Sequence, residues 1–252
     1  MKAIGLPTAF LLLSLATSAC KHGPSEKEQQ NAEIHYDLAI NAQQTSDMRT
    51  ALSELETALE IDPRFAQAHY ALAALLHNAF GKQEEAIRHY KQALELNPSF
   101  SEAKNGLGTV YLDQGRYDEA IKLFEEALTD MRYREPHIAE GNLGIALYRK
   151  GNPEQALQHL RAAITLQPKF CLGHRLLGII ASEQGNYVSA CQEFARYRDS
   201  CPEVADAYYR EGICLAKLGK TEPARSRFAT CQEKSSNESL KGECRSLAEQ
   251  LR

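Results

Sequence analysis

The chain has 252 residues, 43% hydrophobic and 25% charged, with seven cysteines and no tryptophan. That composition suits a helical protein with ample material for a core. Lys and Arg do not cluster and the net charge is only -4, so the basic stripe that nucleic-acid binding needs is missing.

Residues 1–19 differ in kind from the rest. Met1-Lys2 supplies one positive charge, an apolar run follows from Ala3 to Leu15, and the small residues Ala16-Thr17-Ser18-Ala19 lead to Cys20. A charged start, an apolar middle and a small-residue cleavage zone make a secretory signal peptide. Its apolar part is too short to span a membrane comfortably. The small residues abutting Cys20 resemble the lipobox of bacterial lipoproteins, with Thr17 where Leu is usual. A plain signal peptide with an incidental Cys is the rival reading. The resemblance implies a covalent lipid on Cys20 and no other cofactor. Lys21 stands where inner-membrane retention in enteric bacteria prefers Asp, so the expected address is the outer membrane, lipid-anchored and facing the periplasm. Residues 21–31 are polar and carry Gly23 and Pro24. Together with Cys20 they read as a tether reaching about 35 Å when extended.

From residue 32 the chain repeats itself. Ala51, Ala86, Ala120, Ala156, Ala190 and Ala224 follow one another at steps of 35, 34, 36, 34 and 34 residues. Four residues after each stands a large side chain: Leu55, Tyr90, Phe124, Leu160, Phe194, Phe228. Twelve residues before the last four stands Gly108, Gly144, Gly178 or Gly212, with Ala39 and Ala73 as the counterparts in the first two units. Twelve residues after, Pro recurs as Pro63, Pro98, Pro168 and Pro202. This matches the tetratricopeptide pattern and its 34-residue period.

The pattern has a physical cause. Each unit is two antiparallel helices, A and B. Small residues sit where A and B cross, and the large residue fills the gap because i and i+4 share a helical face. Gly81, Gly115, Gly151, Gly185 and Gly219 suit the left-handed turn between A and B, and Pro stops helix B. One pair cannot bury both of its faces, so neighbours must stack. The expectation is an all-α superhelix of six repeats at 32–65, 66–100, 101–136, 137–170, 171–204 and 205–238. A capping helix over 239–252 carries Leu240, Leu247 and Leu251 on one stripe. The connection around Asp130–Pro136 is about two residues longer than the others, which predicts a bend between repeats 3 and 4.

Six further cysteines fall in the last third, where a secretory signal makes disulfides admissible. Fifteen connectivities are possible. Antiparallel pairing of A and B favours Cys171–Cys201, and adjacent helices favour Cys191–Cys214 and Cys231–Cys244. A zinc site is the rival, but no CxxC pair occurs and the spacings are wide. His35, His69 and His174 share the fourth position of helix A, which argues for scaffold and not for a metal. No HExxH, phosphate loop or G-x-S-x-G is present, so neither an enzyme nor a small-molecule substrate is expected.

In the tetratricopeptide architecture helix A lines the concave surface, with positions 2, 5, 9 and 12 as the usual contacts. Here these give Tyr36, Ile40, Tyr70, Ala74, Asn105, Thr109, Leu112, Ile138, Ile145, Tyr148, Leu172, Ile179, Tyr209 and Ile213. Packing on a neighbouring helix would explain any one of them. A whole row of apolar and Tyr side chains points to a groove for an amphipathic helix or an extended peptide.

Lipobox, short tether, six repeats and helical cap together resemble the type IV pilus pilotins (PilF, PilW and Tgl type). The local match is Tyr133 before Glu135-Pro136, then Gly141-Asn142-Leu143-Gly144. The resemblance implies a non-catalytic, membrane-anchored scaffold that binds secretin subunits in the groove of the first repeats and promotes their outer-membrane assembly. Another lipoprotein adaptor, serving barrel assembly or cell-wall enzymes, is the alternative.

Overall fold

The computed structural model describes residues 23–251. The expected signal peptide and the expected lipidation site at Cys20 lie outside them. Thirteen helices and no strand are present among the described residues. They pair as α1 (Glu26–Gln44) with α2 (Met48–Ile61), α3 (Ala66–Asn78) with α4 (Gln83–Leu96), and α5 (Ser101–Asp113) with α6 (Tyr117–Leu128). Then come α7 (Pro136–Arg149) with α8 (Pro153–Leu166), α9 (Cys171–Glu183) with α10 (Tyr187–Ser200), and α11 (Ala205–Lys217) with α12 (Thr221–Lys234). A single helix, α13 (Glu238–Gln250), packs on α12 and closes the array. Each helix packs on its chain neighbours, and the A helices α3, α5, α7 and α9 also touch in sequence. This is an all-α tetratricopeptide superhelix.

The first helix departs from the sequence reading. It begins at Glu26, so residues 26–31 are helix and not tether. Ser25 and Glu28 form a reciprocal capping box: the Ser25 amide donates to the Glu28 carboxylate at 2.7 Å and the Glu28 amide to Ser25 Oγ at 3.3 Å. Two amides left over by helix geometry are thereby satisfied, and the Glu- and Gln-rich stretch behind them propagates the helix.

Within each repeat the crossing is set by size. A methyl added to Gly108 would lie 2.6 Å from the Phe124 ring, and one on Gly178 2.5 Å from Phe194. Repeat 1 makes the same fit with Ala39 and Leu55, both fully buried. In repeat 2, Tyr90 leans instead on Gly106 of the next helix, where a methyl would sit 2.5 Å from its ring. The resulting main core runs unbroken from Ala39 to Ile180.

Five A–B turns use glycines with φ between +65° and +94°. The first turn uses Ser46 at φ 62°, a conformation that costs a side-chain-bearing residue about 1–2 kcal/mol. Ser46→Gly is therefore expected to stabilise repeat 1 by about 0.5–1 kcal/mol, net of the extra chain entropy of glycine. A urea midpoint that stays put or falls would contradict that account.

The longest connection is the one between α6 and α7, residues 129–135. Tyr133 anchors it, 7% exposed and packed with Ala127 and Ala139. The Asp130 carboxylate accepts from Ser101 Oγ at 3.4 Å and from the Arg132 amide at 2.9 Å. Pro136 then opens α7, where its missing N–H costs nothing.

Candidate protein-binding groove

The helix A row is built by the twist of the stack. Tyr36, Ile40, Tyr70, Ala74, Ile145, Tyr148 and Ile179 are half-buried, each with one side against the main core and the other in solvent. Tyr36 packs on Phe65 with ring centroids 5.3 Å apart, and Tyr70 on Phe100 at 5.0 Å. Burial raises the pKa of both phenols. Leu112 does not belong to this row. It is 4% exposed and part of the core. The other repeats carry Gln43, His77, Tyr148, Ser182 and Ala216 at this position, all half-buried, whereas the large aliphatic chain of Leu112 gains about 1.5–3 kcal/mol by turning inward.

Sequence reasoning missed the partners of these tyrosines. Phe65, Phe100 and Phe170 each stand two residues after a repeat proline and directly before helix A. Phe65 and Phe100 support the preceding repeat's tyrosine, and Phe170 supports His137 at 5.6 Å. The signal was present as a Pro-x-Phe period.

Polar links join successive repeats along the same face. Asn142 Nδ2 donates to Asn105 Oδ1 at 3.1 Å and to Thr109 Oγ1 at 3.4 Å. The Tyr148 hydroxyl donates to Glu183 at 2.5 Å, and Tyr209 repeats the motif on Glu243 at 2.6 Å. Burial, then the carboxylate, pushes each of these two phenols up to about 12. Arg175 and Arg210 both donate to Asp206 Oδ2, at 2.9 and 2.8 Å. Burial opposes the charge on Asp206, but the two guanidiniums hold its pKa below the usual carboxylate value.

Repeats 5 and 6 form a cleft of about 310 Å³ lined by Ile179, Ser182, Glu183, Phe194, Tyr209, Arg210 and Ile213. Three of the groove residues expected from the sequence, Ile179, Tyr209 and Ile213, meet there. Ile138 and Leu172 are half-buried in their helices. The structure pairs Cys171 with Cys201, Cys191 with Cys214 and Cys231 with Cys244, with Cα separations of 6.0, 5.5 and 6.2 Å. Cys191–Cys214 ties α10 to α11 beside the cleft, and Phe194 packs in the same small cluster as Cys214. Among the described residues no group of three His, Cys, Asp or Glu is placed to hold a metal ion, and no helix is long and apolar enough to cross a membrane.

The fourth position of helix A makes a ladder of pairs with helix B: His35–Glu54 at 2.6 Å, Glu140–His159 at 2.7 Å and His174–Glu193 at 2.8 Å. In repeat 2 the pair is His69–His89, with Nδ1 atoms 3.0 Å apart. His69 Nε2–H donates to the Pro63 carbonyl, so neutral His69 accepts at Nδ1 from His89. Burial lowers the pKa of both, and the charge of His69 adds to the effect on His89. Their contribution to stability is full above the ordinary imidazole value and is lost as pH falls through the lowered folded-state values. His174, raised by its bond to Glu193, works in the opposite sense and loses its contribution as pH rises through the raised value. Wild-type repeat 2 is therefore expected to weaken on acidification, and His89→Gln to flatten that acid-side slope. Urea midpoints measured across pH test this; equal slopes for both proteins would contradict it.

Tetratricopeptide-repeat family models match residues 54–88, 78–115, 100–169, 142–204 and 206–237. The chain carries tetratricopeptide repeats over most of its length. It is 29% identical over 189 residues to the type IV pilus assembly protein PilF of Pseudomonas aeruginosa, covering 74% of this chain and 73% of that one. The solved structure of PilW, described as a widely conserved type IV pilus biogenesis factor, superposes with TM-score 0.75 at 26% identity, covering 85% of this chain and 98% of that one. That of Pseudomonas aeruginosa PilF gives TM-score 0.76 at 21% identity, covering 88% and 99%, and speaks for the fold. The chain is thus a repeat scaffold homologous to PilF.

Proposed function

We propose that this protein is a lipid-anchored, outer-membrane scaffold without catalytic activity that works in type IV pilus biogenesis, binding secretin subunits and promoting their targeting and assembly. The observation that carries the reading is the row of half-buried Tyr and Ile side chains on the A helices of a PilF homologue. An apolar, partly exposed row on a rigid repeat array suits an amphipathic helix or extended segment of a client. Tyr36 and Tyr70, each backed by a Phe, are the aromatic anchors on which such grooves depend. The lipobox resemblance at Cys20 supports anchoring, because acyl chains contribute about 0.8 kcal/mol per buried CH₂ and hold a protein at a bilayer without a spanning helix.

The test is the level of heat-stable secretin multimers in cells. Tyr36→Asp or Tyr70→Asp should weaken client binding about tenfold or more, the scale of losing about 2 kcal/mol at the centre of an interface. Multimers should fall accordingly, and Cys20→Ala should lower them by removing the anchor. Unchanged multimers and pili in all three variants would overturn the proposal. General loss of outer-membrane barrels with pili intact would favour a barrel-assembly adaptor instead.

A further inference from the structure

The two ends of the stack are finished differently. At the C-terminal end, α13 lays Leu240, Leu247, Ala248 and Leu251 over the last repeat. At the other end, the first helix leaves Ile34 57% and Leu38 47% exposed. In repeats 2 to 5 the position of Leu38 holds Leu72, Leu107, Leu143 and Leu177, all buried. The position of Ile34 holds Ala68, Ala103, Ala139, Gly173 and Ala207, all buried. Small residues there let a neighbouring helix approach closely. A branched Ile in that place would hold a stacked helix off, so this face is not shaped for another repeat.

From this end, and resting on the reading of Cys20 as lipidated, we infer that the Ile34/Leu38 face of α1 docks on the surface of the lipid bilayer. Only residues 21–25 separate Cys20 from the start of α1, a reach of at most about 18 Å. Ile34 lies about 12 Å further along the helix, so an anchored Cys20 confines this face to the membrane's immediate neighbourhood. The face is suited to that place. Lys27, Asn31, Ile34, Leu38 and Asn41 follow one another at steps of four and three residues on one exposed stripe. The stripe holds one cation and no carboxylate, and Glu26, Glu28, Glu33 and Asp37 stand to its sides. Two apolar side chains bind a bilayer weakly on their own, but the tether makes their contact intramolecular and raises its effective concentration. A helix so placed lies in the interface with its apolar side about 5–10 Å deep. It would orient the superhelix on the membrane as well as hold it there.

The absence of tryptophan makes the test direct. Ile34→Trp, Leu38→Trp and, as control, the exposed Val188→Trp in α10 are introduced singly into the acylated full-length protein. Each is reconstituted on vesicles of phosphatidylethanolamine and phosphatidylglycerol. Flotation reads the anchor, and tryptophan emission reads the docking. The expected result is flotation of all three, with a blue shift and quenching by acyl-brominated lipids at positions 34 and 38 but not at 188. Flotation without shift or quenching at 34 and 38 overturns the docking and leaves the anchor standing. Failure of the acylated protein to float overturns the anchor and the docking together. A blue shift without vesicles that grows with protein concentration overturns the docking in favour of a second copy on this face.

Discussion

Reduction of the three disulfides is expected to unfold helices α10–α13 while repeats 2 and 3 remain folded. Cys171–Cys201 closes the helix pair of repeat 5, Cys191–Cys214 joins repeat 5 to repeat 6, and Cys231–Cys244 joins repeat 6 to α13, over separations of 30, 23 and 13 residues. Loops of these lengths restrict the unfolded chain by about 3–4 kcal/mol each in the chain-entropy account. The C-terminal third needs that contribution because its cores are small. One cluster consists of Ala224, Phe228 and the bridged pair Cys231 and Cys244, and another of Ala190, Phe194 and Cys214. The main core reaches only as far as Ile180. Repeat arrays unfold locally when one part falls below its neighbours in stability. Hydrogen exchange with and without reductant should show protection lost in α10–α13 and kept in α3–α6. Equal protection along the whole array after full reduction would show that the staples contribute little.

Phe124→Ala should cost about 3–5 kcal/mol, because its ring is fully buried and the close-packed interior recovers little of the space left behind. The glycine facing it makes the sharper test. Gly108→Ala places a methyl 2.6 Å from the same ring, an overpacking expected to cost about 1–3 kcal/mol. Combining Gly108→Ala with Phe124→Leu should recover part of that loss, since Ala39 with Leu55 is how repeat 1 fills the same space. Denaturant unfolding of the singles and the double gives the coupling energy. A double variant whose loss equals the sum of the two singles would mean that the two positions do not share one packing constraint.

What the sequence made legible was the interior. The small residue in helix A, the large residue in helix B and the turn glycine recur because each repeat solves the same packing problem, so one alignment reads six solutions. The surfaces were less legible because they depend on pairs of residues in different repeats. Tyr36 and Tyr70 were expected in the groove, but the Pro-x-Phe period that supplies Phe65 and Phe100 was passed over. Leu112 shared the spacing of a groove residue and went to the core because it is the one large aliphatic side chain at that position among the six repeats. The start of α1 was missed although Ser25-x-x-Glu28 writes a capping box, because a polar run after Gly23 and Pro24 reads equally as a tether. The exposure of Ile34 and Leu38 follows from standing first in the stack, which their own spacing does not express.

The most direct measurement of the central claim is photocrosslinking from the groove in living cells. A benzoylphenylalanine placed at Tyr70 sits beside Phe100 in the half-buried helix A row, where a client segment is expected to lie. The account predicts a covalent adduct with the pilus secretin that disappears when Tyr36→Asp is added. Adducts only with barrel-assembly proteins or cell-wall enzymes, in cells that still make pili, would contradict it.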